Sequence, residues 1–227
     1  MTPELSRRGY VLGAVTTGLA GMAGCLDRLP FLGDEPLEFE SRPGSVPQST
    51  LDDTGYQERA VHAVTADRTF EIAGQSQNVI VTNWQSEYDR AINLGGLGLG
   101  DDICGAMFTV LTTPRVQVLG REFNPVADMS TEELATLVQD SYDEIDDLEQ
   151  VGSRTMTILG AMTTVDEFEG QATLIEAAIG VDLTVEISEA VVSGEDLVVC
   201  VAAYPKPLRN QESANSQQLM EAVEHEG

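Results

Sequence analysis

The chain has 227 residues, and its 12 basic against 38 acidic residues give a formal net charge of −26 at pH 7. This balance excludes nucleic acid as a partner, because nucleic-acid recognition requires a basic surface. The acids are spread along the chain, and the only lysine is Lys206. Such a surface repels itself at low ionic strength, whereas at ~1 M salt the Debye length is about 3 Å and the repulsion is screened. We therefore interpret the protein as halophilic; an acidic protein that binds cations or basic partners is the alternative.

The first 25 residues contain a basic pair, an apolar run and a cysteine, in that order. Arg7 and Arg8 precede an uncharged run over residues 10–24, and Cys25 follows it. The run is too short to span a bilayer, which takes about 20 residues, and the arrangement is typical of a signal peptide. The paired arginines resemble the twin-arginine (Tat) export signal, and the four residues that end at Cys25 resemble a lipobox. The sequence predicts a signal peptide over 1–24 and a lipid on Cys25; a buried N-terminal helix is the alternative.

The predicted mature chain starts at Cys25 and keeps 10 basic and 37 acidic residues, a net charge of −27. It offers no basic patch to assist membrane binding, and one acyl chain binds membranes only reversibly. We therefore expect more than one acyl chain to hold the protein at the outer face of the cell membrane, with membrane lipid as the partner. Residues 25–50 carry four of the nine prolines and are predicted as the lipidated cysteine and a linker. Residues 51–227 are predicted as a single globular domain without internal repeats.

The domain is predicted to open with a hairpin and an aromatic pair. Phe70–Ile72 and Val79–Val81 flank a polar turn, which is typical of two paired strands. Trp84 and Tyr88 lie on one face at either strand or helix spacing. They either form a ligand or partner surface or pack in the core. The glycine-rich residues 95–102 are predicted as a loop.

A second strand pair is predicted over Ala106–Thr113 and Arg115–Leu119, with a corner or bulge at Pro114 between them. Once Cys25 is assigned to the lipobox, two cysteines are left. Cys104 and Cys200 either form a disulfide, which an exported domain permits, or are two buried thiols.

The most distinct helix is predicted to begin at Ser130, where Ser-Thr-Glu-Glu forms a capping box. Apolar residues recur at helical spacing as far as Leu148, and Gly152 is predicted to end the helix. The acidic run over residues 140–147 then lies on the solvated face of this helix. The run lacks the central glycine and closing glutamate of a calcium loop, so no metal and no other cofactor is predicted.

The last third of the chain is predicted to contain four strands and a closing helix. Residues 156–159 and 162–168 are short strands, and residues 181–188 alternate as a half-buried strand. Leu197–Ala203 is apolar throughout, which is typical of a central strand covered on both faces. The tail over residues 210–224 is a weaker helix. The fold class predicted from these elements is α+β: an antiparallel sheet with one long capped helix and a C-terminal helix packed on it.

Several residues together resemble a family of uncharacterised lipoproteins from halophilic archaea, with a similarity that covers most of residues 40–224. These residues are Trp84, Tyr88, the glycine-rich loop, Phe108, Leu111–Pro114 and Val118–Pro125. The family has no assigned activity, so the resemblance implies no functional residues. More distantly, the order of strands, helix, hairpins and terminal helix is similar to the PsbP-like α/β sandwich, whose members act mainly in binding and assembly.

No constellation of catalytic residues is found in the sequence. The only histidines are His62 and His225, and we expect the second to lie in a fraying tail. We therefore favour a binding or assembly module tethered at the cell surface. An envelope hydrolase that uses carboxylates is the alternative, and a buried pair of acids facing each other in a cleft would favour it.

Overall fold

The computed structural model describes residues 36–72, 75–92, 103–118, 121–123, 142–174 and 178–227. In chain order the described elements are β1 Leu37–Glu40, α1 Gln48–Thr54, β2 Gln57–Ile72, β3 Gln75–Ile92, β4 Ile103–Pro114, β5 Val116–Val118, β6 Arg121–Phe123, β7 Tyr142–Ile158, β8 Ala161–Leu174, β9 Ile179–Ser188, β10 Val191–Ser193, β11 Asp196–Pro205 and α2 Arg209–Glu221. A single 3₁₀ turn, Lys206–Leu208, leads into α2.

Nine of these strands form one mixed sheet, and β5 and β6 form a separate two-stranded ribbon. Across the sheet the long strands run in the order β2-β3-β4-β11-β9-β8-β7. Two antiparallel meanders, β2-β3-β4 and β7-β8-β9, are therefore joined by β11, which enters between them. The short β1 pairs with β3 in parallel, and the short β10 pairs with β11.

The predicted α+β class is wrong. The described chain is mostly strand, with two short α-helices, so the expected PsbP-like sandwich with a long capped helix is not the architecture. The start of the predicted helix at Ser130 lies outside the described residues, but its second half is part of β7. Three register shifts interrupt the pairing of β7 with β8 between residues 143 and 152. Because each bulge changes the phase of the strand alternation, apolar residues in β7 acquire a spacing that mimics a helix.

The core lies on both faces of the central strands. Every residue of β11 is buried, which confirms the strand predicted to be covered on both sides. One face of the sheet carries α2, whose Leu219 and Met220 are fully buried, and we call it the helix face. The sheet curls over its other face: a Cβ on Gly105 of β4 would lie 3.5 Å from Leu174 Cδ2 at the end of β8, three strands away in the sheet order.

The predicted hairpin at the start of the domain is confirmed, with strands longer than expected. The predicted strands at residues 156–168 are likewise the ends of a long hairpin, β7 and β8. β9 is a strand as predicted, but its second half is buried on both faces rather than on one. The strand predicted after Pro114 exists as β5, although its partner is β6 and not β4. The closing helix is confirmed as α2.

The predicted boundary at residue 50 is too late, because the chain joins the domain at Leu37. Beyond β1, the Ser41 hydroxyl donates to the Thr112 carbonyl at 3.0 Å. Gly44 packs so closely that an added Cβ would lie 2.7 Å from Val110 Cγ1. We call residues 41–46 the entry segment; a side chain at position 44 would force the segment or Val110 to shift. The proline and glycine content predicted a linker here, but these residues are equally compatible with an extended segment that packs against a strand.

Among the described helices, none has the length and apolar character needed to cross a membrane.

Candidate functional site

The most buried charged group described is the carboxylate of Glu186, which lies near the C-terminal end of β9 and has no exposed surface. Arg154 of β7 reaches over β8 and donates to both carboxylate oxygens, at 2.9 and 3.0 Å. The Tyr204 hydroxyl donates at 3.0 Å, and the Ser213 hydroxyl on α2 donates at 3.3 Å. The Ser216 hydroxyl is a further donor. A buried carboxylate is tolerated when its lone pairs are satisfied in this way.

A second buried carboxylate, Glu212, enters the same region from α2 and is 1% exposed. It accepts from the Tyr56 hydroxyl at 3.0 Å, from Asn215 at 3.3 Å and from the Arg90 guanidinium. Around them Arg209 pairs with Glu167 at 2.6 Å. Lys206 pairs with Glu169 at 2.7 Å. We call these residues the carboxylate network. Four of the ten basic residues of the predicted mature chain take part in it.

The carboxylate network includes the facing pair of acids that would favour a hydrolase, since Glu167 lies directly opposite Glu186 in the pairing of β8 with β9. However, residues of α2 contact both acids: Ser213 and Ser216 donate to Glu186, which has no exposed surface, and Arg209 pairs with Glu167. Burial first, and the charge of Glu186 second, raise the pKa of Tyr204, so its hydroxyl stays protonated as a donor. A glycosidase-type pair needs access to water and substrate. The network therefore holds α2 on the sheet.

A serine, a histidine and an aspartate meet at the opposite end of β11. His225 Nδ1 is 2.9 Å from Ser193 Oγ, and Nε2 is 3.2 Å from Asp196 Oδ2. Nε2 is also 3.2 Å from the Arg42 carbonyl oxygen. Since both groups near Nε2 are acceptors, Nε2 carries a hydrogen, and in the neutral ring Nδ1 accepts from the serine hydroxyl.

These are the residue types of a nucleophilic relay, but here their contacts attach the C-terminal tail to the entry segment and to the end of β11. We call Ser193, Asp196 and His225 the latch. The His225 side chain has no exposed surface, and its Nε2 faces two acceptors of the protein, so the ring is committed to internal contacts, whereas Ser193 is half-buried. Ser45 and Glu224 exchange two backbone hydrogen bonds of 2.8 Å, which join the tail to the entry segment. The expectation that His225 frays is wrong. Sequence reasoning missed this site because Asp196 is distant from His225 along the chain.

Two cavities flank this latch. One of about 390 Å³ is lined by Val61, Ser86 and the entry segment together with the tail. The other, of about 860 Å³, lies where β1 enters the sheet and has lining side chains of both charges: Glu38, Glu40, Arg42, Arg115, Glu195 and Asp196. Both cavities are open; the lining of the larger one is mainly polar and that of the smaller one is mixed. Neither has the predominantly apolar, enclosed lining that is common in small-molecule sites.

The two aromatic residues predicted either as a ligand or partner surface or as core residues lie in different environments. Tyr88 is 1% exposed, accepts from the Val46 amide at 3.0 Å and packs with its ring centroid 6.2 Å from that of Phe108. Tyr88 is therefore a core residue, and its assignment to a surface is wrong. Trp84 is partly exposed and lies opposite Ala63 of β2, beside the outermost strand of the sheet.

The proposed disulfide is absent, because Cys200 is a free, buried thiol. It lies opposite Val110 in the pairing of β11 with β4, whereas Cys104 lies six residues farther along β4. At about 3.3 Å per residue this separation is ~20 Å, far beyond the Cα distance of a disulfide. Burial raises the pKa of Cys200 to about 12. The thiol alternative therefore describes Cys200.

The predicted export and lipidation residues, Arg7, Arg8 and Cys25, lie outside the described residues. No group of three or more histidine, cysteine or acidic side chains within the described ranges is arranged to hold a metal ion.

No match with a curated protein was found for the chain. Residues 43–224 match the model of a protein family described as a domain of unknown function, DUF6517. This match includes residues 43–46 of the entry segment, both meanders and α2, and so covers most of the chain. The chain therefore belongs to the DUF6517 family.

Proposed function

We propose that this protein is a lipoprotein held at the outer face of the cell membrane of a halophile, where its domain acts as a binding or assembly module. The observation that carries the choice of a module over an enzyme is the closure of its polar clusters. Glu186, Glu212 and the His225 ring are fully or almost fully buried and satisfied by internal partners. The carboxylate hydrolase has no supporting observation, since residues of α2 contact both facing acids and Glu186 has no exposed surface.

The position of the first strand supports the tethered arrangement. If Cys25 carries the lipid, only eleven residues separate it from Leu37, where β1 joins the sheet. A chain of that length spans at most about 40 Å when fully extended. The domain would therefore stand close to the lipid, with the edge where β1 begins, and the 860 Å³ cavity beside it, turned toward the membrane.

The anchor is tested by producing the full chain with its export signal and comparing it with Cys25→Ser. We expect the wild-type protein in the membrane fraction, with an intact mass that lacks residues 1–24 and includes added lipid. We expect the variant to be free of lipid. As a matched control, Arg7→Lys/Arg8→Lys is expected to retain the precursor inside the cell. A wild-type product that keeps its first 24 residues and has no lipid mass contradicts the proposal.

The halophilic assignment is tested by thermal unfolding at molar and at millimolar salt. With a net charge of −27, the mature chain is expected to lose structure at low salt, because the Debye length grows from about 3 Å at 1 M to about 30 Å at 0.01 M. A melting temperature that is equal under both conditions contradicts this assignment.

The binding role is tested by affinity capture from membranes kept in molar salt, with Cys25→Ser as the control that lacks the anchor. We expect a defined second component with the anchored protein. Recovery of this chain alone would contradict a module that serves another protein.

A further inference from the structure

We propose that β2 is a dimerisation edge: two copies of this chain pair their β2 strands antiparallel, about a two-fold axis at Ala63, and form one continuous sheet. This inference goes beyond the anchored binding role and does not depend on it.

β2 is a long and open edge. It has 16 residues, pairs with β3 on one side, and no described strand pairs with its other side. Most of its described side chains are exposed, including Val61 and Val64 at 40% each. After a single bulge at Arg59, its pairing with β3 is unbroken from Ala60 to Ile72. Such an edge presents unpaired backbone donors and acceptors, which are a template for another strand.

The charges of β2 are self-complementary about Ala63. Antiparallel pairing through that residue places Arg59 opposite Asp67 of the second copy. Two-fold symmetry repeats this pair, so two opposite-charge pairs flank the axis. Arg59 and Asp67 are exposed in the single chain and are accessible to a partner. Arg59 lies at the bulge, where its long side chain, rather than regular ladder geometry, would make the contact.

Most residues between these charges are apolar and short: Ala60, Val61, Ala63, Val64 and Ala66. The polar residues in this stretch are His62, whose ring lies 3.8 Å from Glu87 of the same chain, and Thr65. Trp84 lies opposite Ala63 on β3 and adds a partly exposed indole to one side of this patch. An apolar centre with a charged rim is the usual anatomy of a protein interface.

The acidity of the whole chain favours this edge over other surfaces. β2 carries three acids and two arginines in a protein that is strongly negative overall. Two acidic copies repel each other least where their local charge is closest to zero. A second copy is therefore the occupant that the strand fits best, and a strand of a different protein would have to reproduce the same charge order.

Charge reversal of the two exposed partners provides the test. We expect Arg59→Glu and Asp67→Arg each to weaken dimerisation about tenfold or more, because each substitution places like charges opposite one another twice. Mixed together, the two variants restore both opposite-charge pairs and are expected to form a heterodimer. The double variant Arg59→Glu/Asp67→Arg is likewise expected to dimerise as the wild type does.

The measurement is the mass of the full chain in mild detergent by light scattering or native mass spectrometry. It is made at the lowest salt that keeps the fold, since molar salt weakens charge pairs. An Ala63→Cys variant tests the axis directly: it is expected to form an intermolecular disulfide, whereas Thr69→Cys, about 40 Å from its symmetry mate in this register, is not. The proposal is overturned if the wild type stays monomeric at every concentration, if either single reversal dimerises normally, or if Ala63→Cys does not cross-link.

Discussion

The two outer strands of the sheet, β2 and β7, differ in features that decide whether an edge strand can pair with another chain. β2 is regular over most of its length and has a charge order that complements itself. β7 at the opposite edge carries five acids against one arginine, and three register shifts interrupt its pairing. Like charges and bulges are both known devices that prevent an edge from pairing. The acids and bulges of β7 therefore oppose pairing with another strand, whereas β2 is almost neutral and is regular over most of its length.

The difference shows that acidity alone does not decide how such a surface behaves. A chain with 38 acidic residues can still contain a strand that is almost neutral, and the few basic residues mark the positions where structure or contact is required. On β7 the single arginine, Arg154, turns inward to Glu186. On β2, Arg59 faces outward.

The largest effect is expected from removing the inward arginine. Arg154→Ala leaves Glu186 buried without its charge partner, which is expected to lower the free energy of unfolding by about 3 kcal/mol or more. The matched control is Arg59→Ala on the other edge, expected to change it by about 0.5 kcal/mol or less, because the side chain is exposed. Urea unfolding in molar salt measures both. Equal losses would contradict the distinction between the two arginines.

The next effect concerns the curl that brings β8 against β4. Gly105→Ala places a Cβ 2.8 Å from Ile92 Cγ1 and in contact with Leu174, and is expected to cost about 1–3 kcal/mol as overpacking. Gly152→Ala on β7 has no atom within 4 Å of the added Cβ, so it is expected to be neutral or to stabilise by up to ~1 kcal/mol. Melting temperatures of the two variants distinguish these outcomes. An unchanged melting temperature for Gly105→Ala would contradict close packing of β4 against Leu174 of β8.

A pH effect is expected at the centre of the sheet. Burial raises the pKa of Cys200 to about 12 in the folded protein, whereas a thiol in the unfolded chain has a pKa of about 8.5. The unfolded state therefore ionises first, and stability is expected to fall as pH rises through this window and to be unaffected by this thiol below it. Cys200→Ala should flatten that part of the curve. Alkylation followed by peptide mapping should leave Cys200 unmodified in the folded protein at pH 9.

The smallest effect is expected from neutralising the acidic edge. Asp147→Asn/Glu149→Gln removes two exposed charges from β7. We expect the oligomeric state to stay unchanged, because the bulges still prevent regular pairing. Light scattering of this double variant in an Arg59→Glu background isolates the β7 edge. New association there would mean that charge, rather than strand irregularity, keeps β7 single.

Local patterns predicted several elements well. The unbroken apolar run of β11, the hairpin of β2 and β3, and the tail helix were all predicted, since each depends on neighbouring residues. The candidate site was not predicted. The carboxylate network unites Tyr56, Arg90, Arg154, Glu186 and Glu212, and the contacts that join them span up to 156 residues of chain. No sequence signal distinguishes a buried glutamate from the many solvated ones.

By itself, the sequence determined the acidic balance and the apolar central strand, because these are properties of composition and of a short segment. The export signal, on which the anchor proposal depends, stays a prediction from the sequence. Only the tertiary structure decided that residues 142–158 are a bulged strand and not a helix, since the hydrogen bonds of that segment are supplied by β8. It also decided which acids are buried and which of the two sheet edges is open. Those outcomes depend on long-range pairing, whose free energy comes from partners far away in the chain.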